Sequence, residues 1–480
     1  MEVPVTAVIL AAGLGTRMKS RRAKVLHEAG GLPLVEHVVR AVRQILPPQR
    51  IFVVVGCQAD RVKAALERHG VGFVHQEQQR GTAHALLCGR SELEPLGGLL
   101  LVLYGDCPLL CADTLRRLIA AQAGSRAAAT VLTTFLEDPS GYGRVVRDAE
   151  GRLQAIVEQK SARPEELAIR EINSGIYCFA SELLWPRLEA IRPDNPAAEY
   201  YLTDVVALLR RDGYLIETLR ADDPTEVLGV NTRLELAEAD RILRQRKARE
   251  LMSEGVTILL PETVRLDCDV LVGADTLIEP FVAILGRSKI GRDCRIGAGS
   301  ILRDVEAGER VEIRPYTVAE GSLLEDDARV GPFARLRPGT RLGAGAQVGN
   351  FVEMKNARLG RGSKANHLAY LGDAAIGENC NIGAGTITCN YDGERKHPTR
   401  IGDRVFVGSN ATLVAPIELA DDCYVGAGSV ITDPVPPEAL ALGRARQVIK
   451  DGWVRRRRAA KWEAQQQTSS AEPQSPEGGL

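Results

Sequence analysis

The segment Ala11-Ala12-Gly13-Leu14-Gly15-Thr16-Arg17-Met18 follows directly on an apolar run that ends at Leu10. Small residues of this kind let a backbone come close to a phosphate with its N–H groups pointing inward. Arg17 and Lys24 add cations suited to a polyphosphate, whose transfer depends on positioning and charge stabilisation. The loop is not a Walker A sequence, because Gly15-Thr16-Arg17 lacks the Lys-Ser/Thr pair, and Met18 stands where a dinucleotide fingerprint needs a third glycine. Taken alone, a glycine turn with surface cations would read the same way. A second group of reactive side chains lies far downstream, within 331–393: Arg337, Lys355, His367, Tyr370, Asn381, Asn390 and Tyr391. His367 is one of seven histidines, and a single histidine is more often a surface or capping residue than a base.

Two kinds of element must position these groups. Across 1–230, short apolar runs at 5–10, 51–55, 99–103 and 128–135 alternate with amphipathic stretches such as 34–45 and 60–68. That alternation predicts an α/β domain with a largely parallel sheet, helices on both faces and ligands beyond the carboxyl ends of the strands. Across 231–254, Thr232 and Glu235 form a capping-box pattern, Leu234, Ala237, Ile242, Leu243 and Leu251 lie near one stripe, and Gly255 is a stop signal. One long linker helix is expected there.

From 255 to 453 the period becomes six. Ile258, Val264 and Val270 keep it, as do Ile284, Ile290, Ile296 and Leu302. A longer series is Val318, Leu324, Val330, Leu336, Leu342 and Val348; another runs Ile401, Val407, Leu413, Leu419, Val425 and Ile431. Many of these aliphatics precede a glycine, which is expected to permit a tight corner. A hexapeptide period describes a parallel β-helix of three short faces, each coil burying its core only against the next. The period slips from Val348 to Leu359 and again from Leu371 to Ile376, and such breaks mark the face where sites lie. The segment 454–480 opens on four arginines and continues in Gln, Ser, Pro, Glu and Gly, which predicts a basic, then disordered tail.

Composition bounds the function. Lysine and arginine total 61 against 62 acids, which argues against a bulk electrostatic binder of nucleic acid or membranes. Ten cysteines show no metal-binding rhythm and read as reduced, buried residues. The N-terminus has no basic leader and no apolar run long enough to span a bilayer, so a cytoplasmic protein is expected.

The glycine loop with Lys24-Val25-Leu26 resembles the signature of sugar-phosphate nucleotidylyltransferases. The resemblance implies a Rossmann-like domain that takes UTP and a sugar phosphate along Leu10, Ala11, Ala12, Gly13, Lys24, Gln76, Gly81, Thr82, Tyr104, Gly105 and Asp106. It implies amino-sugar contacts at Gly143, Glu158 and Asn173, catalytic cations at Arg17 and Lys24, and Mg²⁺ on Asp106 and Asn231. Hard Mg²⁺ suits one carboxylate and one amide oxygen; Asp106 as a turn cap and Asn231 as a helix cap are the plainer readings. The downstream strings resemble the acetyltransferase half of bacterial bifunctional enzymes that make UDP-N-acetylglucosamine. That likeness implies a left-handed β-helix, His367 as general base, glucosamine-1-phosphate on Arg337, Lys355, Tyr370 and Asn381, and acetyl-CoA along Ala384, Asn390, Tyr391, Ser409, Ala427 and Arg444. It also implies a homotrimer through the β-helix. Asn366 departs from the pattern, since some relatives carry glycine before the histidine. Two other readings are a sugar-1-phosphate nucleotidylyltransferase with a regulatory β-helix, and a non-catalytic scaffold of the same folds. The His367 loop disfavours the first, and Gly13, Gly15, Arg17, Lys24 and Asp106 together disfavour the second.

Overall fold

The computed structural model describes residues 3–195 and 197–469. In the N-terminal half, the strand Val5–Leu10 lies at the centre of a nine-stranded sheet, parallel to Ile51–Val55 on one side and Leu99–Tyr104 on the other. Its sequence, aliphatic except for the buried Thr6, suits burial on both faces. Glu171–Ala180 runs antiparallel to Leu99–Tyr104 and to Ala129–Phe135, so the sheet is mixed rather than largely parallel. Helices cover both faces; Leu34–Arg43 buries Val35, Val38, Val39 and Val42 against the central strands.

The linker is a helix, Arg233–Ser253, with Thr232 and Glu235 in a reciprocal capping box. Its buried stripe is Ala239, Leu243, Ala248 and Leu251 rather than the one expected from Leu234 and Ala237. Leu234 is 84% exposed, because the first turn overhangs an open cleft beside Leu136 and Tyr142. Ala239 and Leu243 pack on Ala29, Leu34, Leu109 and Val230 of the first half, whereas Ala248 and Leu251 enter the core of the second. The halves are joined further by Arg40 on Asp269 (2.9 Å) and Arg244 on Asp267 (2.8 Å).

The C-terminal half is a left-handed parallel β-helix with faces of eleven, ten and nine strands, called here the first, second and third faces in chain order. Aliphatics of the six-residue series fill the prism, with one correction: Val318 faces outward and Ala319 is buried in its place. Met354 is fully buried between Val348 and Leu359, so the apparent slip of eleven is one step of six and one of five. Gly331, after Val330, does hold the positive φ of a corner (+93°), but most glycines after the aliphatics serve a different end. A Cβ on Gly343 would lie 2.6 Å from the Arg361 nitrogen of the next coil, so these glycines allow the coils to approach.

The disorder expected of the tail is corrected over its first part. Trp453–Ser469 is a helix, in keeping with its content of the strong helix formers Arg, Ala, Lys, Glu and Gln. Residues 470–480 lie outside the described residues. All ten cysteines are free, and no helix among the described residues is long and apolar enough to cross a membrane.

The packing of the linker helix makes a prediction. Residues 1–254 expressed alone should unfold cooperatively in denaturant. A fragment ending at 230 uncovers Leu34, Leu109 and Val230 and should lose about 2–5 kcal/mol, the scale of an emptied core position.

Candidate active sites

The first candidate site opens at the carboxyl end of Val5–Leu10, as a cleft of about 420 Å³. Leu10, Ala11, Ala12, Gly13, Lys24, Gln76, Gly81, Thr82, Tyr104 and Asp106 all line it. Gly105 holds the floor, its N–H donating to Leu10 O at 2.9 Å. Asp106 ends the neighbouring strand and Asn231 precedes the linker helix, yet Lys24 Nζ donates to both: to Asn231 Oδ1 at 3.1 Å and to Asp106 Oδ2 in a close ion pair. Arg17 donates to the same Asn231 oxygen at 2.9 Å. Two hard oxygens 125 positions apart in the chain thus converge where cations already gather. That donor set fits Mg²⁺, which takes few protein oxygens and fills its shell with water and phosphate. Glu235 accepts from the backbone N–H of Asn231 at 2.6 Å, so the helix cap also fixes this donor.

A Cβ on Gly143 would lie 3.6 Å from Glu158 Oε1 and 3.7 Å from Asn173 Cβ, which places the three expected sugar contacts together, although none of them lines the cleft itself. Burial, with Asp204 and Glu199 nearby, raises the Glu158 pKa. Asn173 donates to the Tyr177 hydroxyl at 2.7 Å, which leaves its carbonyl side to support the Gly175 N–H (3.1 Å).

The second candidate site spans the second face of the prism. His367 ends a first-face strand in register with Asn350 one coil earlier, and its Nδ1 lies 2.9 Å from Asn350 Oδ1. An amide oxygen only accepts, so the bond selects the tautomer with Nδ1 protonated, in which Nε2 is the basic nitrogen. At the opposite edge of that face, Arg337 pairs with Glu353 at 3.0 Å, and Lys355 lies against Lys396. Lys396, then Arg337, hold the Lys355 pKa below its ordinary value. Tyr370 lies between the edges, in register with Glu353. Asn381 is on the first face, in register with Lys364, and does not join this group.

Of the expected acetyl-CoA residues, four share a corner with His367. Gly385 N donates to His367 O (3.4 Å), Asn410 N to Ala384 O (2.7 Å), Gly428 N to Ser409 O (2.8 Å), and Arg444 to Ala427 O (3.0 Å). His367, Ala384, Ser409, Ala427 and Arg444 therefore form one column over successive coils. Asn390 and Tyr391 stand elsewhere, after the second face, where Asn390 donates to Asp373 at 2.5 Å and an inserted loop carries Lys396.

Comparison with known proteins agrees with both halves. A family model described as a MobA-like NTP transferase domain matches residues 7–254, one described as bacterial transferase hexapeptide (six repeats) matches 269–304, and one described as hexapeptide repeat of succinyl-transferase matches 398–433. Proteins named Bifunctional protein GlmU match nearly end to end. The one from Solibacter usitatus is 56% identical over 95% of this chain and 98% of its own, and that from Koribacter versatilis is 52% identical over 94% and 97%. A third, from an Anaeromyxobacter species, is 50% identical over 99% and 98%. The chain belongs to the GlmU family. It is a bifunctional transferase of UDP-N-acetylglucosamine synthesis: its β-helix half acetylates glucosamine-1-phosphate from acetyl-CoA, and its N-terminal half transfers UMP from UTP to the product, releasing pyrophosphate. Relatives of full length and bifunctional name decide against the regulatory and scaffold readings.

Three residues of the second site went unnoticed in the sequence. Asn350 and Glu353 each stand 17 residues, one coil, before His367 and Tyr370, so coil-length arithmetic would have found them. Lys396 lies in an aperiodic insert and gives no such signal. Asn350→Ala should free the His367 ring to take the other tautomer and lower acetyl transfer about 10-fold, the worth of one hydrogen bond. Uridylyl transfer, measured on the same preparation, should not change.

Proposed function

We propose that the two reactions run on separate residues of the two folds, without a shared group. In the N-terminal half, the N–H groups of Ala12 and Gly13 cradle the UTP phosphates, while that of Ala11 ties the loop to Val54 O at 2.9 Å. Arg17 and Lys24 offset the charge as a sugar-phosphate oxygen attacks the α-phosphorus and the bond to pyrophosphate breaks. Asp106 and Asn231 would hold Mg²⁺, which when bound supplies further charge neutralisation to the phosphates. Glu158, Asn173 and Gly143 orient the amino sugar, and Gln76, Gly81 and Thr82 meet the base.

In the β-helix half, the sugar lies across the second face, its phosphate on Arg337, Lys355 and Lys396 and its amine at His367. His367 Nε2 takes the proton of the amine as nitrogen attacks the thioester carbonyl; the C–S bond breaks and CoA leaves as its thiol. The observation that carries this reading is the placement of an oriented histidine and a cation cluster at opposite edges of one face. Free thiols and the two substrates fit a cytoplasmic protein.

The same corner supports a trimer. Tyr316, Phe333 and Phe351 stack at 5.3 and 5.5 Å on the column leading to Leu368, beside His367, and stay about half exposed. Each holds a positive φ, which costs an L-residue about 1–2 kcal/mol, a strain that burial between copies would offset. Of the expected acetyl-CoA residues, Asn390 and Tyr391 lie off the His367 column, so a second copy beside it would complete the acetyl-CoA groove.

Two experiments test these assignments. Asp106→Ala should abolish pyrophosphate release and spare acetylation, whereas His367→Ala should cut acetylation by about 10²–10⁴-fold and spare uridylyl transfer. Loss of both activities in either variant would refute the separation. Phe333→Glu should shift the sedimenting species from trimer to monomer, with acetyl transfer lost and uridylyl transfer kept.

A further inference from the structure

Gln76 follows the strand Gly72–His75 and is only 3% exposed, yet its side chain lines the nucleotide cleft. Its amide nitrogen has two partners: Gly81 O at 3.2 Å and His84 Nδ1 at 3.0 Å. A backbone carbonyl only accepts, so the end of the amide facing Gly81 must be the nitrogen. Among the described residues no donor reaches the amide oxygen, which is the end left for a ligand. The Gly81 carbonyl is itself held in place. Tyr200 N donates to Arg80 O at 2.8 Å and Ala83 N to Tyr200 O at 3.0 Å, and Gly81 sits at φ +111° with room for no Cβ against the Tyr200 backbone, 2.5 Å away.

His84 supplies the second anchor. It stands in the first turn of the helix Thr82–Leu87, tilted against Tyr200 with ring centroids 6.2 Å apart. The Cys88 sulfur lies 3.8 Å from Nδ1 and 3.9 Å from Nε2, so it does not choose between them; Nδ1 is the acceptor because the Gln76 amide nitrogen 3.0 Å away can only donate. Burial and the Arg80 charge both lower its pKa, which favours the neutral ring that this bond needs.

We propose that His84 is a positioning residue for nucleobase selection, holding the Gln76 amide with its oxygen toward the base so that uracil is accepted and cytosine rejected. Uracil offers an N–H at N3 to that oxygen. Cytosine offers a lone pair there, and two acceptors face each other. With one anchor lost, the amide can turn over and present its nitrogen, which suits cytosine. The proposal rests on the reading of Gln76 as the residue that meets the base.

The test is uridylyl transfer by the full chain with UTP and CTP, read as the ratio of the two kcat/KM values. His84→Ala should lower that ratio about 10-fold, chiefly through KM for UTP, since one hydrogen bond is at stake. His84→Asn, whose amide oxygen can occupy the place of Nδ1, should restore it; a merely structural histidine would not be rescued this way. Gln76→Ala should lose at least as much selectivity, and the double variant should lose no more than Gln76→Ala alone. Should the alanine variant fail to fold, His84→Phe keeps the bulk, offers no acceptor and answers the same question. Full selectivity in His84→Ala or His84→Phe, beside a Gln76→Ala that has lost it, overturns the role of His84. Full selectivity in Gln76→Ala instead overturns the reading of Gln76 on which the proposal stands.

Discussion

The close approach of one coil to the next governs the C-terminal half. Each coil donates backbone N–H groups to the coil after it, as Gly343 N does to Leu359 O at 2.8 Å, and the spacing leaves no room for a Cβ at Gly343. A chain under that constraint cannot place side chains freely. It can only choose, at each corner and on each face, what stands in a column. Asn350 above His367, and Glu353 beside Tyr370, follow from this rule, because residues one coil apart fall in register. The β-helix acts as a ruler whose divisions set the distances within the acetyltransferase site.

The N-terminal half solves the same problem of position by a different route. There the strands Val5–Leu10 and Leu99–Tyr104 end side by side, so that a phosphate loop and Asp106 open on one cleft. Asn231 arrives from a third element, the cap of the linker helix, and Glu235 fixes it by the capping box. The helix therefore has two tasks: its first turn completes a site, and its last two turns seat the domain on the prism through Ala248 and Leu251.

How much of this was legible in the sequence follows from period and locality. Every member of the six-residue series except Val318 lies in the core of the prism, because period is a property of the string. It failed at Val318, where a coil shortened by one residue passes the inward position to Ala319, and at Met354, whose unbranched side chain fits the core without matching an aliphatic template. The glycine loop and Asp106 were legible from local chemistry. The antiparallel turn of Glu171–Ala180 was not, since a buried strand reads the same in either direction. Nor was the burial of the linker helix from Ala239 onward, as the stripe depends on what it leans against rather than on its own pattern. The tail from Trp453 was misread because composition reports a missing core, and a solvated helix of arginine, alanine and glutamine needs none.

The insert after Cys389 bears on why the acetyltransferase site is specific for a phosphorylated sugar. Tyr391 and Lys396 bridge its two ends, and Asp392 accepts from the backbone of Glu394 and Arg395, at 2.8 and 2.7 Å, so the loop is built to hold a shape. That shape puts Lys396 against Lys355, two ammonium groups with Arg337 close by and Asp373 as their nearest counter-charge. Like charges this close repel, and the lowered pKa of Lys355 is the sign of that repulsion. On the proposed binding mode, a phosphate dianion among them would relieve that repulsion, which favours a phosphorylated sugar over a neutral one. On the same binding mode, the column at the other edge would receive the amine at His367, already oriented by Asn350, with little motion left to lose, and there positioning would turn into rate.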